Sequence, residues 1–172
     1  FRCLKSVAQE LRPLEVLVGP NGSGKSALMD AVSFLGTLTA DGLQAAVTER
    51  TKNFYDLVWG LEGGQFELAI EARIPEGKRV PAPIPAADTI RYEAGVRIDP
   101  LTESVVLTQE KLSLFSGEEP QHFFVIAARE GWAVTFYAFS GPAVQVQTGY
   151  HSALASLPMP EPECRQAYWL RN

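Results

Sequence analysis

Gly19-Pro20-Asn21-Gly22-Ser23-Gly24-Lys25-Ser26 decides how the rest of the chain is read. Its spacing is G-x-x-x-x-G-K-[ST], that of a phosphate-binding loop. The glycines let the backbone curl until successive N–H groups point at an anion, a curl that bulkier residues resist. Gly19, Asn21, Gly22, Ser23, Gly24, Lys25 and Ser26 form the expected binding set. In this pattern Lys25 reaches the β- and γ-phosphates, and the Ser26 hydroxyl takes a Mg²⁺ position. A helix starting at the loop adds its N-terminal dipole to the anion site.

The flanks supply the context that the motif needs. Leu14-Glu15-Val16-Leu17-Val18 is an apolar run of strand length and predicts a buried strand feeding the loop. Leu28, Ala31, Val32 and Leu35 follow at i, i+3, i+4, i+7 and predict one helical stripe. Strand, glycine loop and amphipathic helix together favour phosphate binding over an ordinary surface turn.

Composition sets the bounds. The chain has 172 residues, 46% hydrophobic and 20% charged, which suits one globular domain with a proper core. Its net charge of −5 argues against this stretch being the main DNA contact, although a local basic patch remains open. Cys3 and Cys164 lack metal-ligand spacing and read as reduced thiols of a cytoplasmic protein. No run approaches eighteen apolar residues, so no membrane span is expected.

Along the chain, residues 1–7 predict a short first strand, and the helix after Lys25 is expected to run to about Leu38. Asp41 is the expected cap of a second helix over residues 42–50. Residues 51–64 read as a loop carrying Phe54, Tyr55 and Trp59. Pinning that loop to the core is the favoured role of these aromatics, with stacking on an adenine ring as the alternative. From Gln65 the period changes to two. Phe66, Leu68, Ile70, Ala72 and Ile74 alternate with polar or small residues, as do Ile90, Tyr92, Ala94, Val96 and Ile98. A proline-rich connection over residues 75–85 separates them. Further strands are expected at 105–115, 123–128, 132–139 and 143–148, giving an antiparallel meander with one wet and one apolar face. Residues 152–157 and 163–170 read as helical.

The spelling of the loop, with Leu28, Asp30 and Ala31 after it, resembles the ABC-type ATPases of the SMC and RecF branch. Bacterial predicted AAA-family ATPases and OLD-family proteins are similar. Phe1-Arg2-Cys3-Leu4-Lys5-Ser6 looks like the first strand of that branch, and the meander like the β-layer of its N-terminal lobe. The resemblance covers roughly residues 1–150. It implies an α/β fold, a P-loop NTPase core joined to an antiparallel β-layer. It also implies ATP with Mg²⁺ at a Walker A loop, and a basic side chain near the phosphates at Arg2 or Lys5. The expected organisation is one truncated N-terminal ATPase lobe: residues 1–60 the loop unit, 61–150 the β-layer and 151–172 the start of a helical segment. Its expected partners are its own C-terminal lobe and a second copy.

Departures from that pattern limit the activity expected. Hydrolysis in this class uses an apolar strand ending in Asp-Glu. Phe123-Phe124-Val125-Ile126-Ala127-Ala128 is followed by Arg129 and Glu130 instead. Leu114-Phe115-Ser116-Gly117-Glu118-Glu119 looks like a Ser-Gly-Gly signature but sits at a turn before Pro120. His122, His151, Ser116, Ser140 and Ser152 lack the company a catalytic triad needs. No catalytic residue is assigned. The expected function is ATP-Mg²⁺ binding, with hydrolysis requiring the other lobe and dimerisation. The alternative is a non-hydrolysing nucleotide- or anion-binding interaction module.

Overall fold

Helix-forming residues after the glycine loop and a run of alternating residues after Gln65 divide the chain into two layers. The computed structural model describes residues 1–79, 87–115, 123–130, 133–136, 143–147 and 152. Helix α1 (Lys25–Asp41) begins directly on the loop. It ends at Gly42 (φ 92), a left-handed glycine stop whose N–H reaches back to the Thr37 carbonyl at 3.2 Å. Helix α2 (Leu43–Thr48) follows at once. Gly42 rather than Asp41 is its N-cap residue, and α1 outruns its expected end by three residues.

The face that α1 buries meets the expected stripe at Leu35, with Ala31 packed at its edge, and is otherwise rotated from it. Ala27, Phe34, Leu35, Leu38 and Thr39 are buried, whereas Leu28 and Ala31 are half-buried and Val32 lies at the surface. The physical reason is what lies opposite. Phe34, Leu35 and Leu38 share a core with Leu43, Ala46 and Val47 of α2 and with the sheet. The larger apolar side chains therefore claim the inner face.

The sheet is a six-stranded antiparallel meander in order of sequence. Its strands are β1 (Gln65–Arg73), β2 (Thr89–Ile98), β3 (Val105–Phe115), β4 (Phe123–Glu130), β5 (Ala133–Phe136) and β6 (Val144–Gln147). On β1 and β2 the expected alternation holds. Phe66 pairs with Val96, Leu68 with Ala94, Ile70 with Tyr92 and Ala72 with Ile90, all on the core face. Two register shifts interrupt the sheet, between Gly95 and Val96 on β2 and between Leu112 and Ser113 on β3. At the first, a side chain on Gly95 would meet Thr108 Oγ1 at 2.9 Å, so the bulged strand approaches closest where no Cβ stands.

An aromatic cluster joins the two layers. The Phe66 ring meets Phe1 (5.1 Å between centroids) and Phe34 (5.4 Å) edge-on and stacks on Phe54 (5.7 Å). Such edge and offset contacts each add about 0.5–1.5 kcal/mol beyond area burial. One side chain from β1 thus ties together the first residues, α1 and the turn after α2.

Two expected strands are absent. Residues 1–7 form turns and coil, with Phe1 buried in the aromatic cluster. Residues 14–18 form no strand either, and Leu14 (85% exposed), Val16 (77%) and Val18 (89%) face solvent. An apolar run becomes a buried strand only when neighbours pair its edges and cover its faces. Among the described residues no strand pairs with this run. The expected helices at 152–157 and 163–170 lie outside the described residues, apart from Ser152. The same holds for residues 80–86 of the proline-rich connection, Trp132, residues 137–139, His122, His151 and Cys164. No described helix is long and apolar enough to cross a membrane.

Candidate functional site

The glycine loop closes on itself through the amine of its own lysine. Lys25 Nζ donates to the carbonyls of Gly19 and Pro20, both at 2.7 Å, and to Ser23 Oγ at 3.3 Å. Gly22 (φ 81) and Gly24 (φ 92) take left-handed backbone that side chains resist. At Gly24 an added Cβ would also lie 2.7 Å from Leu4 Cδ2. The loop therefore needs glycine there for its conformation, and a side chain would also push Leu4 aside.

Helix α1 contributes its free end. Its first intrahelical bond runs from Leu28 N–H to the Gly24 carbonyl at 2.9 Å. The N–H groups of Lys25, Ser26 and Ala27 precede that bond, and no side chain caps Gly24. Three amides, a helix dipole and an ammonium thus converge on one spot, an arrangement suited to an anion. A cavity of about 360 Å³ opens there, lined by Arg2, Cys3 and residues 21–27. All the expected site residues but Gly19 line it, and Gly19 joins through its contact with Lys25.

A carboxylate one turn beyond Ser26 organises the basic residues. Asp30 accepts from Arg2 Nε (2.6 Å) on one oxygen and from Arg50 Nε (2.8 Å) on the other. The Arg50 guanidinium also sits 5.4 Å above the Phe34 ring, so α2 is clamped to α1 beside the loop. Arg2 holds a left-handed backbone (φ 49) at the cavity wall. Lys5 points elsewhere, over the Trp59 ring at 4.9 Å. Of the two basic residues singled out in the sequence, Arg2 lines the cavity and Lys5 does not. Asp30 is engaged by two arginines. Among the described residues, no group of three or more His, Cys, Asp or Glu side chains is arranged to hold a metal. The residues present fit a phosphate chain. For Mg²⁺ they offer the Ser26 hydroxyl.

A second polar cluster, which the sequence did not single out, lies buried on the sheet. Glu110 of β3 accepts from Tyr92 Oη (2.6 Å) and Ser152 Oγ (2.6 Å) on one oxygen. On the other it accepts from Arg129 Nε (3.0 Å) and the terminal guanidinium nitrogen (2.9 Å). Burial first, and the Glu110 charge second, push the Tyr92 phenol well above its usual value. The cluster ties β2, β3, β4 and residue 152 together. A buried pair of this kind is costly to break, about 3–5 kcal/mol, because the surviving charge is left without its partner. Strand β4, which lacks an Asp-Glu terminus, thus carries Arg129 in a buried ion pair and ends at Glu130. The Ser-Gly-Gly look-alike begins where β3 stops at Phe115, and its remaining residues lie outside the described ones.

A glycine loop on a helix N-terminus beside an antiparallel β-layer is consistent with an AAA-type domain. Residues 15–122 match the model of the family described as "AAA domain, putative AbiEii toxin, Type IV TA system", and the chain belongs to that family. The matched span holds the loop, both helices and β1 to β3. No curated protein and no solved structure matches the chain.

Proposed function

We propose that this chain binds ATP with Mg²⁺ through residues 19–26, as part of an ABC-type ATPase of the SMC/RecF-like kind. The convergence of Lys25 Nζ with the free amides of α1 carries the proposal. In the bound state Lys25 exchanges the Gly19 and Pro20 carbonyls for phosphate oxygens, a charge-assisted contact stronger than the one it leaves. The Ser26 hydroxyl takes one Mg²⁺ position, and the metal offsets charge on the outer phosphates.

Hydrolysis needs groups from outside the described residues: a carboxylate to position Mg²⁺ and water, and a lobe that covers the loop. Exposed Leu14, Val16 and Val18 support that requirement, as does the uncovered side of α1 at Met29 and Val32. These are the faces a parallel sheet would bury, with residues 14–18 as one of its strands. A second copy completing the site belongs to the same proposal. Calorimetric titration with ATP-Mg²⁺ tests the binding step. Saturable binding near one nucleotide per chain supports it, and no heat at millimolar nucleotide contradicts it.

A further inference from the structure

Asp30 is tied to the phosphate cavity through a neighbour rather than by lining it. It stands four residues after Ser26 on α1, so the two share one face of the helix. Side chains on a helix lean toward its N-terminal end, which brings the carboxylate toward the loop. Its two oxygens serve two arginines of different standing. Arg50 is the fixed partner. Its side chain is buried, donates also to the Ala46 carbonyl and to Ser33 Oγ, both at 2.9 Å, and lies over Phe34. Arg2 is the outer partner, half-buried on the cavity wall.

Arg2 is held from three directions. Its backbone N–H donates to the Leu57 carbonyl at 2.7 Å, and its Nε to Asp30 at 2.6 Å. The guanidinium carbon stands 5.9 Å over the Phe1 ring. The left-handed backbone (φ 49) is one that a side-chain-bearing residue keeps only where its surroundings impose it. Such positions collect at ligand sites. Because Nε takes the Asp30 bond, the two terminal nitrogens make no hydrogen bond among the described residues. The guanidinium fork is rigid and planar, so fixing Nε also fixes where those nitrogens point.

We infer that Asp30 is a positioning residue of the phosphate site: anchored by Arg50, it holds the Arg2 guanidinium where its terminal nitrogens meet a phosphate oxygen. The inference rests on the phosphate-loop reading above. It gives Asp30 an effect opposite in sign to its charge. A carboxylate acting only as a nearby negative charge repels an anion and weakens its binding. One that aims an arginine strengthens it.

Calorimetric titration of ATP-Mg²⁺ into wild type, Asp30→Asn, Arg2→Ala and the double variant tests this as a double-mutant cycle, with a melting curve on each protein. The expected result is an affinity about tenfold lower in each single variant. The double variant loses no more than Arg2→Ala alone, because Asp30 acts through Arg2. Asn keeps the size of the side chain, so Asp30→Asn melts close to wild type. Losses that add in the double variant overturn the inference, as does a fall in melting temperature that accounts for the lost affinity; Asp30 would then only be joining α1 to α2. Raised or unchanged affinity in Asp30→Asn overturns it, and so does an Arg2→Ala that binds like wild type. Each of these leaves the phosphate loop standing. A wild type that binds no ATP removes the loop reading and this inference together.

Discussion

Gly24 shows how much a single residue sets at this site. Its φ of 92 aims the loop at the end of α1, and the space a Cβ would fill is taken by Leu4. The Leu4 side chain can swing aside, so the lasting cost of Gly24→Ala is the backbone conformation, about 1–3 kcal/mol. The loop relieves that strain by shifting its amides off the anion. Gly24→Ala is therefore expected to lower ATP affinity about tenfold or more while thermal unfolding of the sheet stays nearly unchanged. Calorimetry and a melting curve on the same sample check this; parallel losses in both would show that the glycine serves folding alone. Lys25 acts at the same scale. Its amine is already gathered at the loop mouth by two carbonyls, so it needs a rotamer change rather than a rearranged backbone to meet a phosphate.

Among the elements, the sheet carries its own titration signature. The Tyr92 phenol is protonated and donates to Glu110, and its folded value lies well above the ordinary value of 10.0. In the unfolded chain the phenol ionises near 10, so its contribution to stability is complete below that pH. It drains away as pH rises toward the folded value. Tyr92→Phe removes a hydrogen bond to a charged group, about 1.5–3 kcal/mol at neutral pH. The stability gap between wild type and Tyr92→Phe is expected to shrink between pH 8 and pH 11 in urea titrations. A constant gap across that range would contradict the assignment. How far these elements could be read beforehand follows from the same residues. Period-two alternation placed β1 and β2 because Phe66 to Ala72 and Ile90 to Val96 bury or half-bury every second side chain. The extra residue Thr108 on β3, opposite the Gly95–Val96 step, was also legible in principle, since Leu107 falls on the opposite phase from Leu112 and Leu114. Glu110 was not, because nothing local marks one carboxylate as the partner of an arginine 19 residues on. The stripe on α1 was right at Leu35 and rotated elsewhere for a related reason. Ala27, Phe34, Leu35 and Leu38 are as periodic as the stripe chosen, and only the partner α2 decides between them.

For the whole molecule, the discordant feature is the segment before the loop. Leu14, Val16 and Val18 have the pattern of a strand and the exposure of a linker. Contiguous exposed apolar surface of this sort marks an interaction face or an aggregation liability. This chain by itself is expected to bind a hydrophobic dye and self-associate in sedimentation runs. Replacing Leu14, Val16 and Val18 with serine should reduce both without lowering the melting temperature of the sheet. A monomeric wild type that ignores the dye would contradict the proposal that further strands cover this segment. The buried Glu110 cluster stands apart from that question, since it ties β2, β3 and β4 together within the β-layer.

The central claim is that residues 19–26 hold the phosphates of a nucleotide through Lys25 and the end of α1. Isothermal titration of wild type and Lys25→Ala with ATP-Mg²⁺ tests it most directly, with circular dichroism confirming that both are folded. Saturable binding by wild type and none by Lys25→Ala is the predicted result; equal affinity in the two proteins would contradict it.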